Sequence, residues 1–405
     1  MTSLTWLDYS DTERRKLLDV VDLFRDRNTR DELGVGTVRD AFAELFSPGT
    51  STIQARAKYF LIIPWLYRRL EAKGQVTDPW HEIGWAERRL IEVLLRSADS
   101  AGTIGSQARR NLKRIPSSIY WTGLEKWGLR LFPGSQDQYH RWLQAGGPRT
   151  AAPSRGEDEE SEGRAGVVTW HSSLPAPPAE FPDQASLALT AEEAEYLTER
   201  IMSRCRGTLL EFLVVDGILG EFVSFPWEHP QAGDVPAHIR EQLDHARCFS
   251  EVAHGAALLY NLMLAELSEA DDLATEYRDK LDSWNAMLAP RASDLAAWDR
   301  SRFWEIAMSG ESRIPLHTRH FLDRWLQLVI DGDPADTADS DEARQLLINR
   351  EVALKGATNA RLTNQRAREM WGGSAGTAQL SYRWGITQTY VRDILSARAT
   401  NGHDA

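Results

Sequence analysis

Two stretches of this chain repeat one small pattern of groups suited to gripping phosphate. GTSTIQARAKY places Thr50, Ser51, Thr52, Gln54, Arg56 and Lys58 together. GTIGSQARRNLKR follows the same order of Gly, hydroxyl, Ile, Gln, Ala and Arg, and brings Arg109, Arg110, Lys113 and Arg114, with Ser117, Ser118 and Tyr120 just beyond. Small hydroxyl residues at a helix start leave backbone N–H groups facing outward, and arginine or lysine a turn later supplies the charge an anion needs. On a helix the four cations of the second stretch share one broad face. The plainer reading is an ordinary capped helix with a solvated basic face.

The C-terminal segment carries a second candidate. A helix over Leu362–Trp371, the turn GGSAGT, a short helix over Ala378–Trp384, a tight turn at Gly385 and a last helix over Thr387–Ala397 give the outline of a helix-turn-helix unit. Arg383, Thr387, Gln388, Tyr390 and Arg392 would then stand at or on the last helix, where hydroxyl, amide and guanidinium groups suit base edges and phosphates. Arg361, Arg366, Arg368 and Arg398 add charge nearby. The alternative is a structural three-helix tail.

Other constellations are weaker. Glu251 and His254 match the Glu-x-x-His half of a di-iron bundle site, but no second such pair exists in the sequence. His238, Glu241, His245 and Cys248 align along one helical stripe, and His317 and His320 are i, i+3 neighbours; each reads as a packed or surface side chain. Gly372-Gly373-Ser374-Ala375-Gly376 fits G-x-S-x-G in letters, yet a helical pattern precedes it where a nucleophile elbow needs a strand. Asp40 with Glu71-Ala72-Lys73 imitates a nuclease carboxylate set, on segments that read as helical rather than as adjacent strands. No phosphate-binding loop of the G-x-x-x-x-G-K-[ST] type and no dinucleotide fingerprint occurs. No cofactor or metal is expected, and the reading favours a non-enzymatic role.

The elements that must position these groups are helical. Apolar residues recur at three- and four-residue spacing over 11–27, Val38–Phe46, Ser51–Lys73 (with Pro64 inside), Trp85–Arg96, Ser106–Lys113 and Ser118–Gly128. After residue 183, Thr190 and Glu193 form a capping-box pattern ahead of a helix over Ala191–Arg204. Leu209–Val215 reads as helix or buried strand. His238–Leu267 holds AALLYNLMLAEL, apolar nearly all round, and so belongs at the centre of its domain. Leu273–Leu288, Leu295–Met308, Pro315–Ile330 and Ser340–Leu354 continue the pattern, and no sustained two-residue alternation interrupts it.

The expected organisation is mainly α: an N-terminal helical domain with a basic face (1–145), a Pro/Gly/acidic linker (146–183) with Trp170 and Phe181 as anchors, an acidic helical domain (184–350) and a small helix-turn-helix-like unit (351–405). Length agrees, since 405 residues suffice for two or three domains. The net charge of −12 is uneven: residues 54–149 carry 16 basic against 8 acidic side chains, and 150–349 carry 16 against 37. Such asymmetry points to a polyanionic or acidic partner for the basic part. Two cysteines exclude a disulfide scaffold and a multi-cysteine zinc site. The N-terminal residues lack an apolar signal region and the longest apolar run is too short to span a bilayer, so a cytoplasmic protein without membrane contact is expected. Many of the 15 tryptophans, such as Trp127, Trp142, Trp325 and Trp384, adjoin Arg or Lys; packing beneath snorkelling side chains explains this, and base stacking is the functional alternative.

The runs ELFSPGTSTIQARAKYFLIIPWLYRRLE and GSQARRNLKRIPSSIYWTGLEKWGLR, with FPWEHP, HGAALLYNLMLAE and LSYRWG, resemble an uncharacterised bacterial domain-of-unknown-function family. The resemblance implies a setting among helicase, methylase and nuclease genes of phage-defence or restriction loci, and transfers no catalytic residue. The combined expectation is a non-enzymatic DNA-binding or adaptor subunit of such a system, with DNA and defence proteins as partners. Arg56, Lys58, Arg109, Arg110, Lys113 and Arg114 would hold phosphate, and Arg383, Thr387, Gln388 and Arg392 would approach a groove. A protein-protein scaffold and a metal-dependent nuclease are the alternatives.

Overall fold

The computed structural model describes residues 31–147 and 167–401; the expected first helix, over 11–27, lies outside them. Their regular elements are helices joined by turns and loops, with one isolated antiparallel bridge between Arg130 and Trp170 and no β-strand among the described residues. The helices are α1 (Gly36–Phe46), α2 (Tyr59–Glu71), α3 (Pro79–Leu94), α4 (Pro116–Lys126), α5 (Gln136–Gln144), α6 (Ala191–Arg204), α7 (Leu209–Asp216), α8 (Ala237–Leu267), α9 (Asp271–Leu288), α10 (Ala292–Ala296), α11 (Arg300–Ala307), α12 (Leu316–Asp331), α13 (Asp341–Lys355), α14 (Gln365–Arg368) and α15 (Trp384–Asn401). The chain forms two compact units, one from residues 31–42 and 241–381 and one from 43–147, 167–240 and 382–401. The units therefore do not follow the linear order read from composition: residues 184–240 and the last helix join the basic N-terminal segment.

The first unit is organised by α8, as its all-round apolar pattern requires. Trp284 of α9 and Trp325 of α12 donate their indole N–H groups to the α8 carbonyls of Glu251 and Val252 at 2.7 and 3.0 Å. The Trp284 ring lies so close to Gly255 that a Cβ there would meet it at 2.3 Å, which fixes glycine at that position. From α13, Glu351 accepts from the buried Tyr260 hydroxyl at 2.6 Å.

The second unit is built on α2, which is buried along nearly its whole length, Pro64 included. Phe60 stacks on Trp127 with ring centroids 3.8 Å apart, and Tyr390 of α15 meets both rings edge-on. The described part of the expected linker is held here: Trp170 and Phe181 are buried, and the Trp65 indole donates to the Pro175 carbonyl at 2.7 Å.

Several expected helices differ from the observed ones. Residues 51–58 and 106–108 are turns rather than helix, and only a single 3-10 turn, Arg109–Asn111, forms in the second basic stretch. In the first stretch a distant tyrosine takes a backbone group that a helix would use: Ala55 N–H donates to the Tyr120 hydroxyl. Gly102, Gly105 and Arg109 have positive φ, which a right-handed helix excludes. Residues 378–383 are not helical either, because Tyr382 and Arg383 adopt φ of 54° and 61°; the last helix begins at Trp384 and runs through Gly385. Only Gln365–Arg368 of the expected Leu362–Trp371 helix forms. The helix-turn-helix outline is thus not built. Helix α5 was not read from the sequence.

Candidate nucleic-acid interface

The cations of the two repeated stretches part company in the structure. Arg56 and Lys58 lie inside the second unit. Arg56 donates to Asp99, to Asp393 and to the Ala101 carbonyl, so it anchors the start of the loop between α3 and α4. Lys58 is buried, with its ammonium on Glu193 and 5.3 Å from the Trp65 ring centroid. Burial lowers the Lys58 pKa, an effect that the Glu193 charge opposes. Neither side chain is free to meet a ligand phosphate, and the expected common basic face is not formed.

Arg109, Arg110, Lys113 and Arg114 are exposed on the α3–α4 loop. Tyr59 holds that loop through Ile104, and Arg88 of α3 holds it through the Leu112 carbonyl at 3.0 Å. Gly105 makes the close return: a Cβ would meet Leu112 and Ile91 at 2.8 and 2.9 Å. Arg109 and Arg110 thereby face the outer stripe of α3. Asp78 caps that helix by accepting from His81 N–H, and Ile83, Glu87, Leu90, Ile91 and Leu94 turn its other side inward. His81, Trp85, Arg88, Arg89, Glu92 and Arg96, three or four residues apart, are left on the outer side.

Together these residues line an open cleft of about 1160 Å3, with Gln107 and Asp183 completing it. Five arginines and one histidine face two carboxylates. Arg89 pairs with Asp183 at 2.8 Å and Arg109 with Glu92 at 3.3 Å, both in water-exposed positions. Among the described residues, Arg96 and Arg110 have no acidic partner, and neither do Lys113 and Arg114 beside the cleft. Trp85 is 56% exposed, with the Arg89 guanidinium 5.4 Å from its ring centroid. A second, smaller cavity of about 360 Å3 adjoins, sharing His81, Trp85, Arg89 and Asp183 and floored by Leu66, Leu70, Ile83 and Leu90. On the inward side of α3, Glu87 is buried with one carboxylate oxygen accepting from Ser117 N–H and the other unpartnered; burial pushes its pKa up to about 8.

The expected groove-reading residues sit elsewhere in the same unit. Arg383 bonds to Glu44 and the Thr50 carbonyl, and Thr387 donates to the Ser47 hydroxyl at 2.7 Å. Gln388 exchanges two hydrogen bonds with the backbone of Val223. Arg392 donates to the Gly220 carbonyl and lies 3.7 Å from the Phe222 ring centroid. These contacts make α15 a packed element whose polar groups are used within the unit.

Sequence reasoning missed Arg88, Arg89, Arg96 and Trp85. The signal was present as a polar and basic stripe on an amphipathic helix.

Three of the histidines weighed as metal ligands have other partners: His254 bonds to the Thr377 carbonyl, His238 to the Gly207 carbonyl, and His245 accepts from the Trp298 indole at 2.7 Å. Glu251 pairs with Arg247 and Arg291. Among the described residues, no group of three or more His, Cys, Asp or Glu converges as a metal site would, and no helix is long and apolar enough to cross a membrane.

Residues 1–398 match the model of a family of unknown function, DUF6361. The chain belongs to this family. No curated protein and no solved structure matches it.

Proposed function

We propose that this member of DUF6361 is a non-enzymatic nucleic-acid-binding or adaptor subunit of a bacterial anti-phage defence or restriction system. The observation that carries the reading is the α3–loop cleft, where arginines outnumber carboxylates and, among the described residues, Arg96 and Arg110 have no acidic partner. Guanidinium groups arranged around a concavity neutralise phosphates and release counterions, which gives sequence-independent affinity and a steep salt dependence. The acidic remainder of the chain disfavours indiscriminate polyanion binding and confines attraction to this face. The resemblance to proteins of defence loci supports the setting. Cytoplasmic DNA and defence-system proteins are the partners proposed.

The test is fluorescence anisotropy of labelled nucleic acid across a salt series, for the native chain and for Arg109→Glu/Arg110→Glu. Weaker binding with a shallower salt slope in the variant supports the reading; identical curves reject it.

A second reading, a scaffold docking a protein partner, is favoured by one observation. Val215, Ile218, Leu219 and Phe222 are 37–54% exposed within eight residues of the second unit. Runs of exposed apolar side chains mark interaction surfaces. Association with a defined defence protein that survives nuclease treatment and is lost in Ile218→Asp/Leu219→Asp would favour it.

A further inference from the structure

We infer that the cleft takes single-stranded nucleic acid, with phosphates among the arginines and one base stacked on Trp85 and seated in the adjoining apolar cavity. This rests on the nucleic-acid reading above and narrows it. A duplex presents a convex phosphate surface with its bases already stacked and paired, and is read by a helix or ribbon that protrudes into a groove. The surface here is the reverse. It is concave, with Arg109 and Arg110 on one wall and Arg89 and Arg96 on the other.

Trp85 stands where the two cavities meet. It is 56% exposed although an indole of that size normally gains from burial. The Arg89 guanidinium over its ring places positive charge beside any anionic ligand stacked there. An exposed aromatic bordered by cations is the arrangement on which unpaired bases stack, because every base offers a π-face once it leaves a duplex.

The smaller cavity supplies what a duplex would leave unused. Its floor of Leu66, Leu70, Ile83 and Leu90 is apolar, and at about 360 Å3 it lies at the low end of the range that holds small planar ligands. Lys73 and Glu82 line it and are paired with each other, offering a donor and an acceptor at one place. A base entering beside Trp85 would meet an apolar floor below its ring and this polar pair at its edge, with its phosphates returning to the arginine-lined cleft.

The test compares three 15-residue probes on the full chain by anisotropy: oligo-dT, oligo-U and a blunt mixed-sequence DNA duplex, each over a salt series. The native chain should bind oligo-dT or oligo-U more tightly than the duplex, and the tighter of the two identifies DNA or RNA as the source. Trp85→Ala should weaken the single-strand complex about ten-fold with its salt slope unchanged, and Trp85→Phe should recover most of the loss. Because Trp85 is exposed, thermal unfolding should confirm that both variants fold as the native chain does. Duplex binding equal to or tighter than single-strand binding, or native single-strand affinity in Trp85→Ala, would overturn the inference. In that event continued sensitivity to Arg109→Glu/Arg110→Glu would leave the broader nucleic-acid reading standing. Absence of binding to all three probes at low salt would remove both.

Discussion

The Arg56 guanidinium is held between two carboxylates, with Nη2 2.8 Å from Asp99 and Nε 2.9 Å from Asp393. Asp393 lies on α15 and also accepts from Ala57 N–H, so this one cation ties the last helix to the turn before α2 and to the loop that carries the cleft arginines. Burial alone would lower the Arg56 pKa; the hydrogen bonds and charges of the two aspartates outweigh it and push it up. Asp393 is itself so buried that its pKa is raised despite Arg56.

Arg56→Ala should therefore act on folding before it acts on any ligand. Removing one partner of a buried pair leaves the other charge without compensation, a loss of about 3–5 kcal/mol. Arg56→Lys should recover only part, since an ammonium cannot reproduce the two-sided fork. Chemical denaturation midpoints of the three proteins check the order native, lysine, alanine.

Glu87 sets a pH dependence of opposite sign to the usual carboxylate. Burial raises its folded pKa from 4.5 to about 8, so between these values the folded chain retains a proton that the unfolded chain has released. The stabilisation is complete below about pH 4.5 and falls as pH rises to about 8, where the shift corresponds to about 4–5 kcal/mol. Glu87→Gln keeps the shape without the titration. Its unfolding free energy should gain on the native chain from pH 5 to pH 8, and parallel pH profiles would contradict this account of Glu87.

Gln388 separates the packing role of α15 from a recognition role. Its amide donates to the Val223 carbonyl and accepts from the Val223 N–H, so Gln388→Ala leaves two backbone groups unpaired, at about 1–3 kcal/mol. Thermal unfolding should register that loss, while the affinity and salt slope for nucleic acid stay at native values. A Gln388→Ala variant of native stability with weakened binding would return α15 to the interface.

Much of the helical architecture was legible in the residues. The capping box of Thr190 and Glu193 and the apolar period after it place α6 at Ala191–Arg204, as observed. The apolar run around Leu258–Leu264 marks α8 as the centre of its unit. What could not be read locally depends on partners far along the chain. Residues 51–58 lose helix where Ala55 N–H donates to the distant Tyr120 hydroxyl, and the positive φ of Arg109 in the second stretch has no sequence signal of the glycine kind. The same reason divides the candidate site. Arg109 and Arg110 stay exposed, whereas Arg56, Lys58, Arg383 and Thr387 meet Asp393, Glu193, Glu44 and Ser47, residues 135 to 340 positions away. Charge and hydroxyl content alone cannot distinguish a cation that waits for a ligand from one that already holds a carboxylate.

The cleft itself is tested most directly by Arg96→Glu/Arg110→Glu, because Arg96 enters the account only through the structure and lies on the wall opposite Arg110. The comparison protein is Arg141→Glu, at an exposed arginine on α5 that pairs with Asp137 and does not line the cleft. Anisotropy with labelled oligo-dT over a salt series should give weaker binding and a salt slope reduced by about 1.4 in the cleft variant, from two phosphate contacts at about 0.7 each, with the Arg141→Glu slope near native. Equal slopes in all three proteins, or an equal loss in Arg141→Glu, would contradict a nucleic-acid site at this cleft.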